Sequence, residues 1–164
     1  MTEINEWFAG RLPEEWFDGA AHITVDREEI LVVGTLPGST EETSDAEADG
    51  RIQRFREETR AARMKVADEA EARFGRKVAW GAALADRSYV FTSMAIPVMT
   101  RLRQPERLVL DTLVDAGVAR SRSEALSWCV KLVGRNEEDW IKQLRDALDV
   151  VATARGEGPA SGQK

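Results

Sequence analysis

The sequence predicts an α+β protein: an N-terminal ββαββ layer, then a strand–helix–helix unit with an extra C-terminal helix. Three observations carry this. Two pairs of short, alternating apolar stretches separated by turns occur before residue 97. One long 3.6-residue apolar period lies between the pairs. After Pro97 the pattern becomes a single alternating stretch followed by three helical periods.

Residues 1–21 read as an aromatic N-terminal arm. "EWFAGRLPEEWF" repeats an acid-Trp-Phe unit nine residues apart, a spacing that fits neither helix nor strand, and Pro13 interrupts it. Trp7, Phe8, Trp16 and Phe17 are therefore expected as anchors on a short irregular arm. They have two surfaces open to them, the protein's own core or a partner, because exposed paired aromatics are costly in a monomer. Residues 22–96 read as a small α+β domain. "HITVDREEILVV" is a hairpin turning at the polar "DREE". The acidic, turn-rich loop 37–50 follows. One amphipathic helix is expected over 51–74, with Ile52, Phe55, Ala62, Val66, Ala70 and Phe74 on one face and Gly75 as its stop. Its first half is crowded with Arg54, Arg56, Arg60, Arg63 and Lys65, a pattern open to a nucleic-acid patch or to ordinary helix-surface ion pairs. "KVAWGAAL", the turn "ADRS" and "YVFTSMAI" close the layer as a second strand pair.

The second half begins at Pro97. Val98, Thr100 and Leu102 alternate with Met99, Arg101 and Arg103, so a strand here has one apolar and one basic face. Pro105 suits the first turn of a helix, Leu110, Leu113 and Val114 give that helix its stripe, and Gly117 ends it. Ser121 and Glu124 form a capping box for a second helix, apolar over much of its girth and stopped at Gly134. Cys129 lies in that helix as a small buried side chain. A third helix over 135–155, with Trp140, Ile141, Leu144, Leu148 and Val151 on one side, precedes a disordered tail at 156–164.

A basic alternating stretch, a helix, a glycine turn and a serine-capped apolar helix resemble the ribbon-helix-helix family of DNA-binding proteins. The resemblance covers about residues 98–133 of a unit at 97–134. It rests on "TRLRQPERLVLDTL" and "AGVARSRSEALSWCVKLV", most closely on "SRSEAL". It implies an obligate homodimer whose paired strands enter the major groove. It also implies that Arg101 and Arg103, with Met99 beside them, read bases, and that Ser121, Arg122 and Ser123 hold a backbone phosphate. Elementary chemistry agrees with those roles. Arginine donates two hydrogen bonds to guanine, and a helix start presents free N–H groups to phosphate. The chain departs from the family at Gln104, where an apolar residue is usual before the proline, and in its longer turn between the helices.

Charge and composition bound the function further. The net charge of −6 hides −11 over residues 1–49 against +4 over 50–96 and +3 over 97–135, so a polyanion would meet the middle of the chain. No apolar run reaches the ~18 residues of a membrane span, and the start lacks a basic-then-apolar signal peptide. With one cysteine as well, the expected place is the cytoplasm, with no membrane partner. No enzyme, cofactor or metal site is expected. His22 is the only histidine, "GTLPGST" lacks the lysine of a phosphate loop, and the acids of 41–49 lack calcium-loop spacing. Two functions follow: a dimeric, sequence-specific DNA-binding protein acting in transcription or on the chromosome, or an adaptor. The adaptor uses the strand–helix–helix unit only to dimerise and docks a protein partner through its acidic aromatic arm.

Overall fold

The computed structural model describes residues 2–38 and 43–157. The fold is mixed α+β, with one four-stranded sheet and six helices among these residues. The chain divides into two compact units, Met1–Pro97 and Val98–Lys164.

In the first unit, helix α1 (Thr2–Arg11) stands where an irregular arm was expected. Ile4, Trp7, Phe8 and Leu12 recur at helical spacing and all pack on the core, Phe8 with no exposed surface. After Pro13 a single 3₁₀ turn (Glu14–Trp16) delivers Trp16 and Phe17 into the same core. The four aromatics are thus used at home. Trp16 meets Trp80 edge-on at 6.1 Å and Phe55 at 5.8 Å, and Phe8 meets Trp80 at 6.4 Å.

Strands β1 (His22–Val25) and β2 (Glu29–Thr35) form the expected antiparallel hairpin. Asp26 fixes its turn, accepting the backbone N–H groups of Glu28 and Glu29 at 2.8 and 2.7 Å. Those two bonds hold its carboxyl below the usual range. Helices α2 (Asp45–Glu58) and α3 (Arg60–Phe74) then cross over to β3 (Lys77–Leu84), which pairs parallel with β2. Strand β4 (Arg87–Val90) returns antiparallel, giving the order β1-β2-β3-β4. One face of β2 and β3, with Ile30, Val32, Trp80, Ala82 and Leu84, carries the core under the helices.

Several boundaries differ from the sequence expectation. The single helix over 51–74 is two, broken at Thr59, whose hydroxyl bonds back to the Phe55 carbonyl and accepts Arg63 Nε at 2.9 Å. Such back-bonding competes with the helical ladder. Arg63 is 6% exposed; its guanidinium also donates to the Arg56 carbonyl at the end of α2 and lies over the rings of Phe91 and Trp80. It is a structural plug at the break, and Arg63 is thereby removed from any surface patch. Helix α2 begins at Asp45, inside the expected acidic loop 37–50, of which 39–42 lie outside the described residues. The last strand stops at Val90 and does not run on through Ile96.

In the second unit, helices α4 (Gln104–Asp115), α5 (Arg122–Asn136) and α6 (Glu138–Glu157) follow one another. Gly134, expected as a stop, is inside α5, and the break falls at Glu137 instead. Helix α6 takes in Gly156 and Glu157, which were expected in the tail; residues 158–164 lie outside the described residues. Only Leu110, Ala119 and Ala125 are buried in this unit's cluster, with Leu102, Leu113, Val114, Leu126 and Cys129 half-buried around them. Among the described residues no helix is long and apolar enough to cross a membrane.

Gly34 lies directly beneath the Phe17 ring, and a Cβ there would overlap ring carbons. Overpacking of this kind costs roughly 1–3 kcal/mol. Gly34→Ala should lower the stability of the first unit by that amount, measured by urea unfolding monitored through tryptophan fluorescence. Unchanged stability would mean that Phe17 is not seated on the strand.

Candidate nucleic-acid interface

The segment 98–103 has no hydrogen-bonded strand partner among the described residues. The expected division into an apolar and a basic face is met only at Leu102: Val98, at 85% exposure, and Thr100 are open to solvent like the basic side. Met99 is 97% exposed, Arg101 and Arg103 are exposed, and Leu102 turns into the small cluster with Leu110, Ala119 and Ala125. Arg103 is extended, at φ −81° and ψ 174°, and is the N-cap of α4. Its carbonyl accepts the Arg107 N–H at 3.1 Å, while Arg107 Nη1 donates to the Leu102 carbonyl at 2.8 Å. Pro105 sits in the first turn, where its missing N–H costs nothing.

The joint between α4 and α5 is closed by local chemistry. Gly117, at φ +73°, donates to the Val114 carbonyl and Val118 to that of Leu113, both at 3.0 Å, a Schellman ending. Ser121 then caps α5, its hydroxyl accepting the Glu124 N–H at 3.2 Å. The Glu124 carboxylate reaches back to the Arg120 N–H at 2.7 Å. Ser123 is exposed beside them. Ala119 and Ala125 bracket this turn and share a cluster with Leu102; Met99, Arg101, Arg103, Ser121, Arg122 and Ser123 are themselves outside that cluster.

Arg122 is placed differently from the expectation. Its Nε and Nη2 donate to both oxygens of Asp111, at 2.6 and 2.7 Å. The two residues are eleven apart on different helices, so no periodic signal pairs them. Those hydrogen bonds, with the charges of Arg122 and Arg107, hold the Asp111 carboxyl below its ordinary range. Arg122 is thus engaged by Asp111 and the Ser121 hydroxyl by the Glu124 N–H, while Ser123 is exposed.

The remaining predicted residues are not brought together with these. Phe8, Trp16 and Phe17 are buried and Trp7 is half-buried in the first unit, so the arm's aromatics offer no docking surface. A cleft of about 570 Å³ beside α1 is lined by residues such as Leu12, Pro13 and Ile23, with no histidine, cysteine, serine or threonine among its lining residues. Among the described residues no three His, Cys, Asp or Glu side chains gather as metal ligands.

An α+β sheet unit joined to a three-helix unit with a serine-capped middle helix is the class of protein these features define. Comparison with known proteins places it more narrowly. Residues 2–90 match the domain described as the Rv1265-like protein, N-terminal domain, and residues 103–155 match the Mb1296 C-terminal domain. The chain belongs to this Rv1265-like family. It is 62% identical over 156 residues to the uncharacterised proteins Mb1296 of Mycobacterium bovis and MT1303 and Rv1265 of Mycobacterium tuberculosis, covering 94% of this chain and 69% of each relative. No solved structure matches it.

The Asp111–Arg122 pair makes a testable pH statement. A carboxyl whose folded pKa is depressed contributes stability that is present above its unfolded value, about 4, and is lost as pH falls through the folded one. Wild-type protein should therefore lose stability of its C-terminal unit below about pH 4 more steeply than Asp111→Asn, measured by thermal melts from pH 6 to pH 3. Parallel pH profiles would mean that the pair is not formed in solution.

Proposed function

We propose that the chain is a homodimeric, sequence-specific DNA-binding protein of ribbon-helix-helix type, acting in transcription or on the chromosome within the cytoplasm. The observation that carries this reading is the segment 98–103. It lies outside helix and strand among the described residues, is anchored by Leu102, and presents Arg101 and Arg103 to solvent immediately before α4, with Arg103 itself extended. A lone strand is marginal in water, and pairing it with the same segment of a second copy across a two-fold axis satisfies its backbone. Four guanidiniums then lie on one ribbon, which suits the width of the major groove.

The start of α5 supports the same reading. The N–H groups of Arg122 and Ser123, with the Ser121 and Ser123 hydroxyls, suit a backbone phosphate and orient the ribbon without reading sequence. The adaptor reading is weaker, because Phe8, Trp16 and Phe17, the anchors it needs, are buried in the first unit.

Fluorescence anisotropy with a randomised duplex, followed by selection of bound sequences, tests the proposal. Each bidentate arginine–guanine pair is worth roughly 1–3 kcal/mol of discrimination. Arg101→Ala/Arg103→Ala should therefore abolish sequence preference and leave the thermal melt unchanged. Asp111→Asn should free Arg122 and steepen the salt dependence by up to about one phosphate per protomer. If the wild-type chain shows no salt-sensitive DNA binding at low ionic strength, the proposal fails and a dimer without DNA remains. Equal binding by the double alanine variant would remove the arginines from the reading role.

A further inference from the structure

Arg63 is a buried cation whose partners are all neutral. Its guanidinium donates to the Thr59 hydroxyl at 2.9 Å and to the Arg56 carbonyl at 2.6 Å. It stands 5.0 Å from the centre of the Phe91 ring and 6.0 Å from that of Trp80. No carboxylate pairs with it among the described residues. The charges that act on it are those of Arg56 and Arg60, both of its own sign. Burial first, and then these two charges, hold its pKa below the ordinary range. A buried charge is normally paired, because leaving it alone is costly.

A second donor in the same place is also unmatched. The Trp80 indole N–H is buried, the residue being 4% exposed, and has no acceptor among the described residues. Buried donors are paired in the great majority of cases, with protein, water or a bound group. The sheet fixes Phe91 beside Trp80, the Phe91 N–H donating to the Trp80 carbonyl at 2.7 Å. Next to them runs a groove of about 310 Å³, with Gln53, Arg56, Tyr89 and Phe91 among its lining residues. Arg56 and Phe91 both contact Arg63, and the Arg56 guanidinium lies 5.8 Å from the Phe91 ring centre. The groove's one acid, Asp49, accepts the Tyr89 hydroxyl at 2.8 Å.

We propose that this locus binds a small oxyanion, a phosphate ester or a carboxylate, held by Arg63 and the Trp80 indole N–H with Arg56 at its rim. One such group supplies the counter-charge and the acceptor together, and arginine bonds to carboxylate and phosphate are the strong kind. At 6% exposure Arg63 admits a small group and is out of reach of a duplex backbone lying on the surface. The site stands in the first unit and shares no residue with the proposed DNA contact.

Two-dimensional NMR of the tryptophan indole N–H groups in the full chain tests this. Inorganic phosphate or acetate is titrated against sodium chloride at constant ionic strength. The chain has five tryptophans, and Trp80→Phe assigns the signal. Phosphate or acetate should move the Trp80 signal saturably, and the tighter of the two identifies the ligand as phosphate ester or carboxylate. Because the ion binds the folded form, the melting temperature should rise by roughly 5 °C at about ten times the Kd. Arg63→Met should weaken binding about tenfold or more, the scale of a lost charge-assisted hydrogen bond. Arg56→Gln, which is exposed and keeps its carbonyl, should weaken it in the same direction. The exposed Arg54→Gln should bind as wild type does.

A Trp80 signal and a melting temperature that respond to phosphate and acetate no more than to chloride overturn the proposal. So does binding left at wild-type strength by Arg63→Met, or by Arg56→Gln where the Met variant does not fold. An Arg54→Gln variant weakened as much as these overturns it too, by reducing the effect to general surface charge. A short DNA duplex that moves the Trp80 signal in the same way overturns the small-molecule source.

Discussion

The scarcity of buried apolar surface in the C-terminal unit is the constraint from which the rest follows. Leu110, Ala119 and Ala125 are the buried members of its cluster, and two of these three are alanines. Small units of this size rarely stand on such a core without a staple or an oligomer. No disulfide substitutes for it, since Cys129 is the chain's one cysteine and is free. Local devices do part of the work: the Schellman ending at Gly117, the Ser121 cap and the Asp111–Arg122 pair fix how α4 turns into α5. Each such device contributes about 1 kcal/mol or less when exposed. They set geometry, and they leave apolar residues of α4, α5 and α6 exposed among the described residues.

The first unit is built on the opposite economy. Its sheet carries a dense aromatic core in which Trp80 meets Phe8 and Trp16, and Phe55 links Trp16 to Phe91. The parallel pairing of β2 with β3 demands a long crossover, which α2 and α3 provide. Ion pairs from α1 to α3, between Arg11 and Glu69 and between Glu3 and Arg73, hold the N-terminal helix over the core. This half buries a large core of its own, although Met64, Val90, Met94 and Ile96 stay exposed.

What the sequence made legible follows the range of the interaction. The β1–β2 hairpin, the Gly75 stop, Pro105 in a first turn, Gly117 and the Ser121–Glu124 box are all set within a few residues, and all read directly from local pattern. Helix α1 was hidden because Gly10 and Pro13 sit among its aromatics, so the nine-residue Trp-Phe repeat drew more notice than the helical spacing of Ile4, Trp7, Phe8 and Leu12. The break at Thr59 depends on where one hydroxyl and one guanidinium point, which periodicity does not encode. The Arg122–Asp111 pair joins two helices and carries no periodic trace either. Gly134 failed as a stop because a glycine only permits a helix end; the chain continued through it to Asn136.

These two kinds of unit impose different conditions on any DNA role. In the proposed dimer a ribbon would exist only when two 98–103 segments pair, so affinity for DNA and affinity between copies would be linked through the same equilibrium. At concentrations below the dissociation constant the arginines would be two exposed charges on an unpaired segment, ordered locally by Leu102 and by the Arg107 bonds to the Leu102 and Arg103 carbonyls. Above it, four of them would share one surface. Burial of the helices' apolar faces in such a dimer would set the fraction of paired chains without touching DNA, and so would strengthen binding to every sequence by the same factor. Sequence preference would still come from Arg101 and Arg103. Affinity and specificity would thus reside on different elements of one small unit, the first in the apolar faces of its helices and the second in the short basic segment that precedes them.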